Sequence, residues 1–524
     1  MENADSIIED FSRQWKKSPA PGFAISIIKK NKTPEIHCFG EAVLEHAVPV
    51  IQNTTFYLCS LAKQFTATCL AFLIDQGKIS LSDPLRKFLP ELPAKVYKSI
   101  TISHLVHMTS GIHEWYDIME FSGSYANEYP WRKTLLSVLA RQKYLSFTPG
   151  EIFSYCNTNY TLLTIIIEMI SNSSLADLAK QLIFDPLKLN STFYCEDNSR
   201  VIPRLACGYY QVSDTYKTAD KLPPLIGAGG VYSNLTDLTT WLNTIIKQEW
   251  QPQIFKILFQ PSLLNNGKTN PYLMGFQTRK YRNCRLIQHG GAVPGFFTHI
   301  CFIPDHNCGF VWLANHNNFK PDRLSKTLLG YLETEFTPQL NTDPESCPPH
   351  SDLAKYSGEY IYLGEDKSLI LTAENNSLSI EGDPVCYQQE ETNLFVNPQN
   401  NSQLIIMEDY YQTIILRHLS ENGDKFLLKT SQMPHLNKID MYCNKYYSPE
   451  LDITYTLTKS DDNLYIDAAK KFTGTDLCLI APDIFLSPSK GIKIRFLRNK
   501  NNQITSFFLD SFRSQNFIFN RISK

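Results

Sequence analysis

The clearest helical pattern in the chain begins directly after Ser60. Apolar residues recur there with a helical period through positions 71–74, and Gly77 ends the pattern. The pattern predicts an α-helix with Ser60 near its N-terminus, where backbone N–H groups and the helix dipole favour an anion. Lys63 lies three residues further on, so its ammonium shares a helix face with the Ser60 hydroxyl. A serine beside an amine is one way to build a nucleophile.

The Ser-x-x-Lys pattern is short, and it occurs three times in this chain. The copy that begins at Ser26 lies in a strand-like run, where side chains three positions apart point to opposite faces. The copy that begins at Ser487 contains Pro488 and opens no helix. Only the Ser60 copy precedes a helical pattern. For Ser60 itself, a simple helix cap is the alternative interpretation.

Helices and strands alternate along the first part of the chain. The pattern predicts a short helix over 7–15, strands at 23–29 and 35–39, and a hairpin of strands 298–303 and 309–314. Four prolines with polar neighbours follow at 337–352 and indicate a linker. We therefore predict a first domain over residues 1–336.

Beyond the linker, short alternating runs separated by Asn, Asp and Gly are typical of an all-β structure. This region contains a repeat, because six residues each have a similar residue 86 positions further on. The matched pairs are Tyr356 and Tyr442, Tyr360 and Tyr446, Leu369 and Tyr455, Leu371 and Leu457, Leu378 and Leu464, and Ile380 and Ile466. One constant offset indicates a duplication. We predict two small antiparallel β-barrels, over residues 353–432 and 438–524.

Composition limits the class of protein. Hydrophobic residues make up 43% of the 524 residues, which is enough to fill several cores, and the net charge is −2. Acidic and basic residues are mixed along the chain, so no basic stripe indicates a nucleic acid partner. No apolar run of 18 residues or secretory signal is visible, and we expect no membrane span. The odd number of cysteines, 13, lacks C-x-x-C spacing, which favours a cytoplasmic protein without a disulfide framework. Export without a cleaved signal is the alternative.

If Ser60 attacks a carbonyl group, the reaction also needs a base, a proton donor, an oxyanion hole and a substrate clamp. Tyr155-x-Asn157 offers a phenol and an amide. A tyrosine with an ordinary pKa of about 10 is a poor base at pH 7, unless a cation such as Lys63 is near. His289-x-Gly291 offers a polar side chain on a strand and glycine that lets substrate approach closely. The alternative interpretation of that segment is a turn at the end of a strand.

Taken together, these three motifs resemble those of the penicillin-recognising serine hydrolases, especially class C β-lactamases, D-amino-acid-specific peptidases and related esterases. The resemblance covers about residues 5–335. It implies an α/β (α+β) β-lactamase/transpeptidase-like domain, with an antiparallel sheet flanked by helices. The paired barrels look like the lipocalin-like domains of serine D-aminopeptidases.

The resemblance implies a role for each motif residue. Ser60 would be the acylated nucleophile, Lys63 would hold and share its proton, and Tyr155 would be the general base. Asn157 would bind the substrate amide or support Lys63. In the third motif, His289 would lie beside the substrate carboxylate and Gly291 would let the substrate approach closely. The backbone N–H groups of Ala292 and Ser60 would form the oxyanion hole.

The third motif departs from the family pattern, because His289 stands where lysine is usual. A histidine is only partly cationic at neutral pH, so it makes a weak carboxylate clamp. We therefore expect a peptidase or esterase that cleaves a small amide or ester, with a D-amino-acid peptide or ester favoured. Two alternatives remain: a non-catalytic binding or scaffold protein that keeps the fold, and a β-lactamase or D-Ala-D-Ala carboxypeptidase.

No cofactor or metal is expected. His104 and His107 are three positions apart on a predicted helix without a third ligand, which favours packing or capping. Cys59 and Cys156, next to the proposed nucleophile and base, are interpreted as buried inert thiols rather than redox switches. The expected partner is a small-molecule or short-peptide substrate, and the oligomeric state stays open.

Overall fold

The structure is a computed structural model that describes most of residues 19–522. The residues outside the description are 1–18, 124–130, 198, 214, 220–224, 282–283, 317–320, 334–352, 363–367, 375–376, 383–385, 392–393, 398–402, 409–413, 421–422, 430–438, 461–462, 469–473, 488–489, 512 and 523–524. The predicted N-terminal helix and linker lie outside the described residues, as do the domain boundaries at 336, 432 and 438. Those boundaries stay predictions.

The chain divides into two compact units. The first takes Met1–Trp115, Ala126–Ala140 and Phe147–Leu340. The second, the barrel unit, takes Tyr116–Tyr125, Arg141–Ser146 and Asn341–Lys524.

The first unit is built on a six-stranded antiparallel sheet. Its strands, in spatial order, are Gln277–Tyr281, Cys284–Val293, Phe296–Ile303, Cys308–Ala314, Phe23–Ile28 and Glu35–Phe39. Alternate residues of a strand share a face, so Phe23 and Ile25 meet Trp312 in one core cluster. The helix Pro321–Leu332 contributes its leucines to that cluster. The predicted antiparallel sheet flanked by helices is therefore confirmed.

Helices make up much of the rest of this part of the chain. The α-helices are Ala62–Asp75, Ala94–Tyr97, Ile102–Val106, Trp115–Ser122, Trp131–Arg141, Asn157–Ser171, Leu175–Ala179, Leu235–Lys247, Pro252–Leu258 and Pro321–Leu332, with a π-helical turn at Lys180–Phe184. Short 3₁₀ turns occur at Leu44–His46, Cys59–Leu61, Leu85–Lys87 and Pro304–His306. The last of these closes the predicted hairpin.

Three small sheets complete the first unit. They pair Glu41–Val43 with Val48–Pro49, Tyr209–Val212 with Thr215–Thr218, and Phe56–Tyr57 with Val231–Ser233, which also pairs with Phe193–Tyr194. The third sheet matters for function, because its strand Phe56–Tyr57 leads directly into the turn that carries Ser60.

A buried amide ties the central sheet to its surroundings. Asn315, fully buried, accepts a hydrogen bond from the Gly22 N–H at 2.6 Å and donates to the carbonyl oxygens of Glu41, Ala42 and Cys207 at 2.9 to 3.2 Å. Because each bond satisfies a backbone group that would otherwise be costly to bury, this side chain locks the strand Phe23–Ile28 in place.

The barrel unit contains two closed eight-stranded antiparallel sheets. The first has strands Gly358–Tyr362, Ser368–Glu374, Ser377–Ile380, Tyr387–Glu391, Leu394–Val396, Gln403–Glu408, Ile414–Ser420 and Gly423–Lys429. The second has strands Asn444–Ser448, Ile453–Ser460, Asn463–Asp467, Thr475–Ala481, Ile484–Ser487, Ile492–Arg498, Ile504–Asp510 and Phe517–Arg521. A 3₁₀ turn precedes each barrel, at Leu353–Tyr356 and Ile439–Tyr442.

The sequence repeat has a structural counterpart in these barrels. Tyr360 pairs with Leu369 across the first two strands of one barrel, and Tyr446 pairs with Tyr455 in the other. Each leading tyrosine is fully buried and donates a hydrogen bond to a carbonyl four residues earlier, at 2.8 and 3.0 Å. Matching register and matching hydrogen bonds agree with a duplicated unit. The likeness to lipocalin-like domains stays a prediction.

Among the helices that the structure describes, none is by itself long and apolar enough to cross a membrane. One bent pair, Asn157–Ser171 with Leu175–Phe184, meets the length and composition requirement only when the two helices are taken together.

Candidate active site

Ser60 lies in a tight turn at the start of a helix. The 3₁₀ turn Cys59–Leu61 runs directly into the helix Ala62–Asp75, and Gly77 follows that helix in a left-handed conformation. Cys59 has φ of 52°, a region that non-glycine residues rarely adopt. The predicted helix and the position of Ser60 at its N-terminus are confirmed. Ser60 itself is partly exposed, so a substrate could reach its hydroxyl.

Lys63 is completely buried and its ammonium is held on three sides. Its Nζ atom donates to Asn157 Oδ1 at 2.8 Å and to the Ala228 carbonyl at 2.7 Å. It also lies 3.2 Å from Ser60 Oγ. Two firm acceptors therefore orient the ammonium, and the serine hydroxyl is a further contact of the same Nζ atom. This is the convergence that the spacing of Ser60 and Lys63 predicts.

Tyr155 faces the same ammonium from another segment. It lies in the extended chain just before the helix Asn157–Ser171, and Lys63 Nζ is 4.9 Å from the centroid of its ring. The ring of His289 is 6.0 Å from the ring of Tyr155. The structure thus brings together Ser60, Lys63, Tyr155 and His289 from three separate parts of the sequence.

Asn157 is oriented by a residue that the sequence analysis missed. Glu114 is fully buried, and one of its oxygens accepts from Asn157 Nδ2 at 2.9 Å while the other accepts from the Asn157 backbone N–H. The only signal in the sequence is that Glu114 is the single Asp, Glu, Lys or Arg within residues 101–115. Such a signal cannot identify a partner 43 residues away.

His289 is buried and neutral. Burial is the main reason that its pKa falls to about 3, and the nearby Lys63 charge lowers it further. Nδ1 lies 2.6 Å from the Gly290 carbonyl, which can only accept, so Nδ1 carries the proton. Nε2 then accepts from the Tyr272 hydroxyl at 3.0 Å. We expected a partly cationic histidine and a weak carboxylate clamp; burial beside the Lys63 cation shifts the pKa further toward the neutral form.

Gly291 lies where the strand Cys284–Val293 of the central sheet packs against the turn Cys59–Leu61. A Cβ atom added at Gly291 would lie 2.5 Å from Thr298 Oγ1, 2.8 Å from Cys59 Cβ and 2.9 Å from the Leu58 carbonyl oxygen. Thr298 in turn donates to that Leu58 carbonyl at 2.9 Å. The next residue, Ala292, is exposed, and its place in an oxyanion hole stays a prediction.

We expect Gly291→Ala to lower kcat and the free energy of unfolding, the latter by about 1–3 kcal/mol, because the added methyl group must displace rigid backbone at the nucleophile turn. Gly290→Ala is the matched control, since its Cβ would find no atom closer than 3.9 Å. Urea unfolding and steady-state kinetics on both variants measure the difference. Equal behaviour of the two variants would contradict the packing role of Gly291.

The glycine-rich segment 227–230 packs beside the nucleophile helix. Its Ala228 carbonyl binds Lys63, and its Gly227 carbonyl accepts from the Thr66 hydroxyl at 2.8 Å. The helix that follows this segment is capped by Asn234, whose side chain accepts from the Asp237 N–H. Asparagine is among the best N-cap residues.

The other candidate groups behave as structural side chains. His104 completes a capping box with Thr101, and His107 Nδ1 lies 3.0 Å from the Ser103 carbonyl. Cys59 and Cys156 are buried, and burial raises the pKa of both thiols. In the part of the chain that the structure describes, no group of three or more metal-ligating side chains comes together.

Comparison with known proteins places this geometry in context. The family model described as Beta-lactamase matches residues 7–332. Penicillin-binding protein 4* of Bacillus subtilis is 31% identical over 370 residues, which cover 66% of this chain and 80% of that protein.

Two D-aminopeptidases are also similar. The enzyme of Gluconobacter oxydans is 26% identical over 326 residues, 62% of this chain, but the match spans only 61% of that protein's length. The enzyme of Brucella anthropi is 22% identical over 541 residues, which cover 99% of this chain and 98% of that protein. This second match extends over the barrel region as well.

Proposed function

We propose that this protein, which belongs to the β-lactamase family and is a serine hydrolase, forms an acyl-enzyme at Ser60. The observation that carries the proposal is the 3.2 Å approach of Lys63 Nζ to Ser60 Oγ. A fully buried ammonium is costly unless it is well paired, so its placement against one partly exposed hydroxyl favours a chemical role.

In the proposed reaction, Ser60 Oγ attacks the substrate carbonyl carbon while its proton passes to the pair formed by Tyr155 and Lys63. That pair returns the proton to the departing amine or alcohol when the tetrahedral intermediate collapses. Water then attacks the ester at Ser60, loses a proton to the same pair, and the Ser60 oxygen regains it as the acid product leaves. Each proton that is taken is returned, so no external acid is needed.

The negative charge of the tetrahedral intermediate needs hydrogen-bond donors. We assign this role to the backbone N–H groups of Ser60 and Ala292. Two features support the assignment: the 3₁₀ turn before the nucleophile helix, and the close packing of Gly291 against Cys59. Donors placed in advance of the reaction stabilise the transition state more than the substrate.

For the substrate, we propose a short peptide, amide or ester of a D-amino acid. A neutral His289 provides no fixed positive charge to bind a substrate carboxylate. A β-lactamase or carboxypeptidase profits from such a charge, whereas an enzyme that releases an N-terminal residue does not need it there. The similarity to a D-aminopeptidase over 99% of this chain supports the same choice.

A panel of chromogenic substrates tests this proposal. We expect D-alanine p-nitroanilide to be hydrolysed at least about tenfold faster, by kcat/KM, than L-alanine p-nitroanilide, which corresponds to ~1.4 kcal/mol of discrimination. An N-acylated D-Ala-D-Ala peptide and a chromogenic cephalosporin should be poorer substrates. Preference for either of the last two would favour a carboxypeptidase or a β-lactamase. Tight binding of one ligand without turnover of any substrate would favour the non-catalytic alternative.

A further inference from the structure

Glu114 is a buried acid for which none of the three motifs has a role. Its side chain is 0% exposed, and both of its oxygens accept hydrogen bonds from one residue, Asn157. A carboxylate is an acceptor on both oxygens, so two N–H donors from one residue favour the ionised form. A buried negative charge therefore contacts Asn157, which in turn contacts the buried Lys63 cation.

The bonds determine which way the Asn157 amide points. Glu114 can only accept, so it takes the amide N–H, and Lys63 can only donate, so it takes Oδ1 at 2.8 Å. A flipped amide would face Lys63 with its own donors. The orientation of Asn157, and with it one of the two acceptors that hold the ammonium, thus depends on Glu114.

We infer that Glu114 is a positioning residue of the active site: through Asn157 it directs the Lys63 ammonium toward Ser60 and supplies the negative charge that compensates it. The inference rests on the proposed function, because it assigns Glu114 a part in the same acyl-transfer chemistry. Glu114 holds Asn157 with both of its oxygens, so it acts through Asn157.

The electrostatic surroundings give this charge particular weight. Burial raises the pKa of Tyr160 and of Cys59 and lowers the pKa of His289, so these neighbours of Lys63 are uncharged near neutral pH. Tyr155, whose ring centroid lies 4.9 Å from Lys63 Nζ, belongs to the reacting pair. Glu114 thus places a carboxylate one hydrogen-bonded residue away from that pair. Because these side chains are buried, the influence of this charge is screened little.

The first test is Glu114→Gln, which keeps the shape and removes the charge. The new amide offers one acceptor and one donor where Asn157 presents two donors, so one N–H meets another N–H. We expect kcat to fall about 10²-fold, the loss typical of a misplaced catalytic group, with little change in KM.

Loss of the negative charge in Glu114→Gln disfavours the protonated form of the Tyr155 and Lys63 pair. The low-pH limb of kcat/KM should therefore move to lower pH, by about one unit or more.

The second test exchanges the two side chains in the double variant Glu114→Gln with Asn157→Asp. The new glutamine can accept from the backbone N–H of position 157 and donate to the new carboxylate, whose other oxygen faces Lys63. Every hydrogen bond is then satisfied and the charge is restored. We expect the exchange to recover at least about tenfold of the lost kcat and to return the low-pH limb toward higher pH. Failure of the exchange to improve on the single variant would overturn the inference.

Glu450→Gln is the matched control. Glu450 is also 0% exposed, and its two oxygens accept from the backbone N–H groups of Lys143 and Ile518. The same substitution there creates the same donor conflict within the barrel unit. It should lower stability but leave the low-pH limb unmoved. Glu114→Gln could behave as the control does, with lower stability and with the low-pH limb of kcat/KM at its wild-type position. The role of Glu114 would then be structural and the inference wrong.

Wild-type measurements separate this inference from the proposed function. If the wild-type enzyme does not acylate Ser60, the proposed function fails and takes the inference with it. If the wild-type enzyme acylates Ser60 and Glu114→Gln retains wild-type kcat and pH profile, the inference alone fails. Labelling of Ser60 by a fluorophosphonate, followed by mass spectrometry, decides between these outcomes.

Discussion

Ser60→Ala should abolish turnover, with a loss of kcat of at least about 10³-fold, because the proposed acyl intermediate forms on the Ser60 hydroxyl. Substrate binding should persist, since the substitution removes a single oxygen atom from a partly exposed side chain. We therefore expect kcat to collapse while the Kd for a substrate, measured by calorimetry, stays within about tenfold of the wild-type value.

Ser26→Ala is the matched control, because Ser26 heads another copy of the Ser-x-x-Lys pattern. Its hydroxyl is buried in a strand and makes no hydrogen bond. Its removal should leave kcat unchanged and stability unchanged or slightly improved, because an unsatisfied buried hydroxyl is costly. Retention of substantial activity in Ser60→Ala would remove the basis for the proposed mechanism.

Lys63→Met should have the second largest effect, a loss of kcat/KM of about 10³-fold. Methionine has nearly the same length as lysine and fills the same space, but it can donate no hydrogen bond. Ser60 then loses the group through which its proton is shared, and the acceptors on Asn157 and Ala228 lose their donor. Removal of a buried cation offsets part of that cost. We therefore expect a folded protein whose free energy of unfolding differs from that of the wild type by at most a few kcal/mol.

Lys29→Met provides the control for this change. Lys29 is the lysine of the Ser26 copy, is only 7% exposed, and pairs with Glu35 at 3.3 Å. The same substitution at Lys29 should lower stability through loss of that pair and leave kcat/KM near the wild-type value. Burst-phase kinetics with an activated ester measure acylation directly. A normal acylation burst in Lys63→Met would contradict the assigned role.

The local parts of the site could be predicted from the sequence. The helix that follows Ser60 is apparent from the period of its apolar residues, and Lys63 follows from helical geometry. The strand that carries His289 was also predictable, as was the duplication, because one offset relates Tyr360 to Tyr446. Each of these features depends on spacing within a short segment or on direct similarity.

The rest depends on contacts between distant segments. Glu114 acts on Asn157, which no pattern in the sequence connects to it. The charge of His289 depends on burial and on the nearby Lys63 cation, and its local sequence gave no sign of either. The need for glycine at Gly291 likewise arises only when the central sheet meets the turn at Cys59. Such features are set by the packing of the whole domain.

The most direct test of the central claim is the mass of the trapped intermediate. The wild-type protein is mixed with a D-alanine ester, quenched in acid within one turnover, digested and analysed by mass spectrometry. We predict a mass increase equal to the acyl group on the peptide that contains Ser60, and none in Ser60→Ala. An acyl group on a residue other than Ser60, or rapid turnover by Ser60→Ala, would contradict the proposed mechanism.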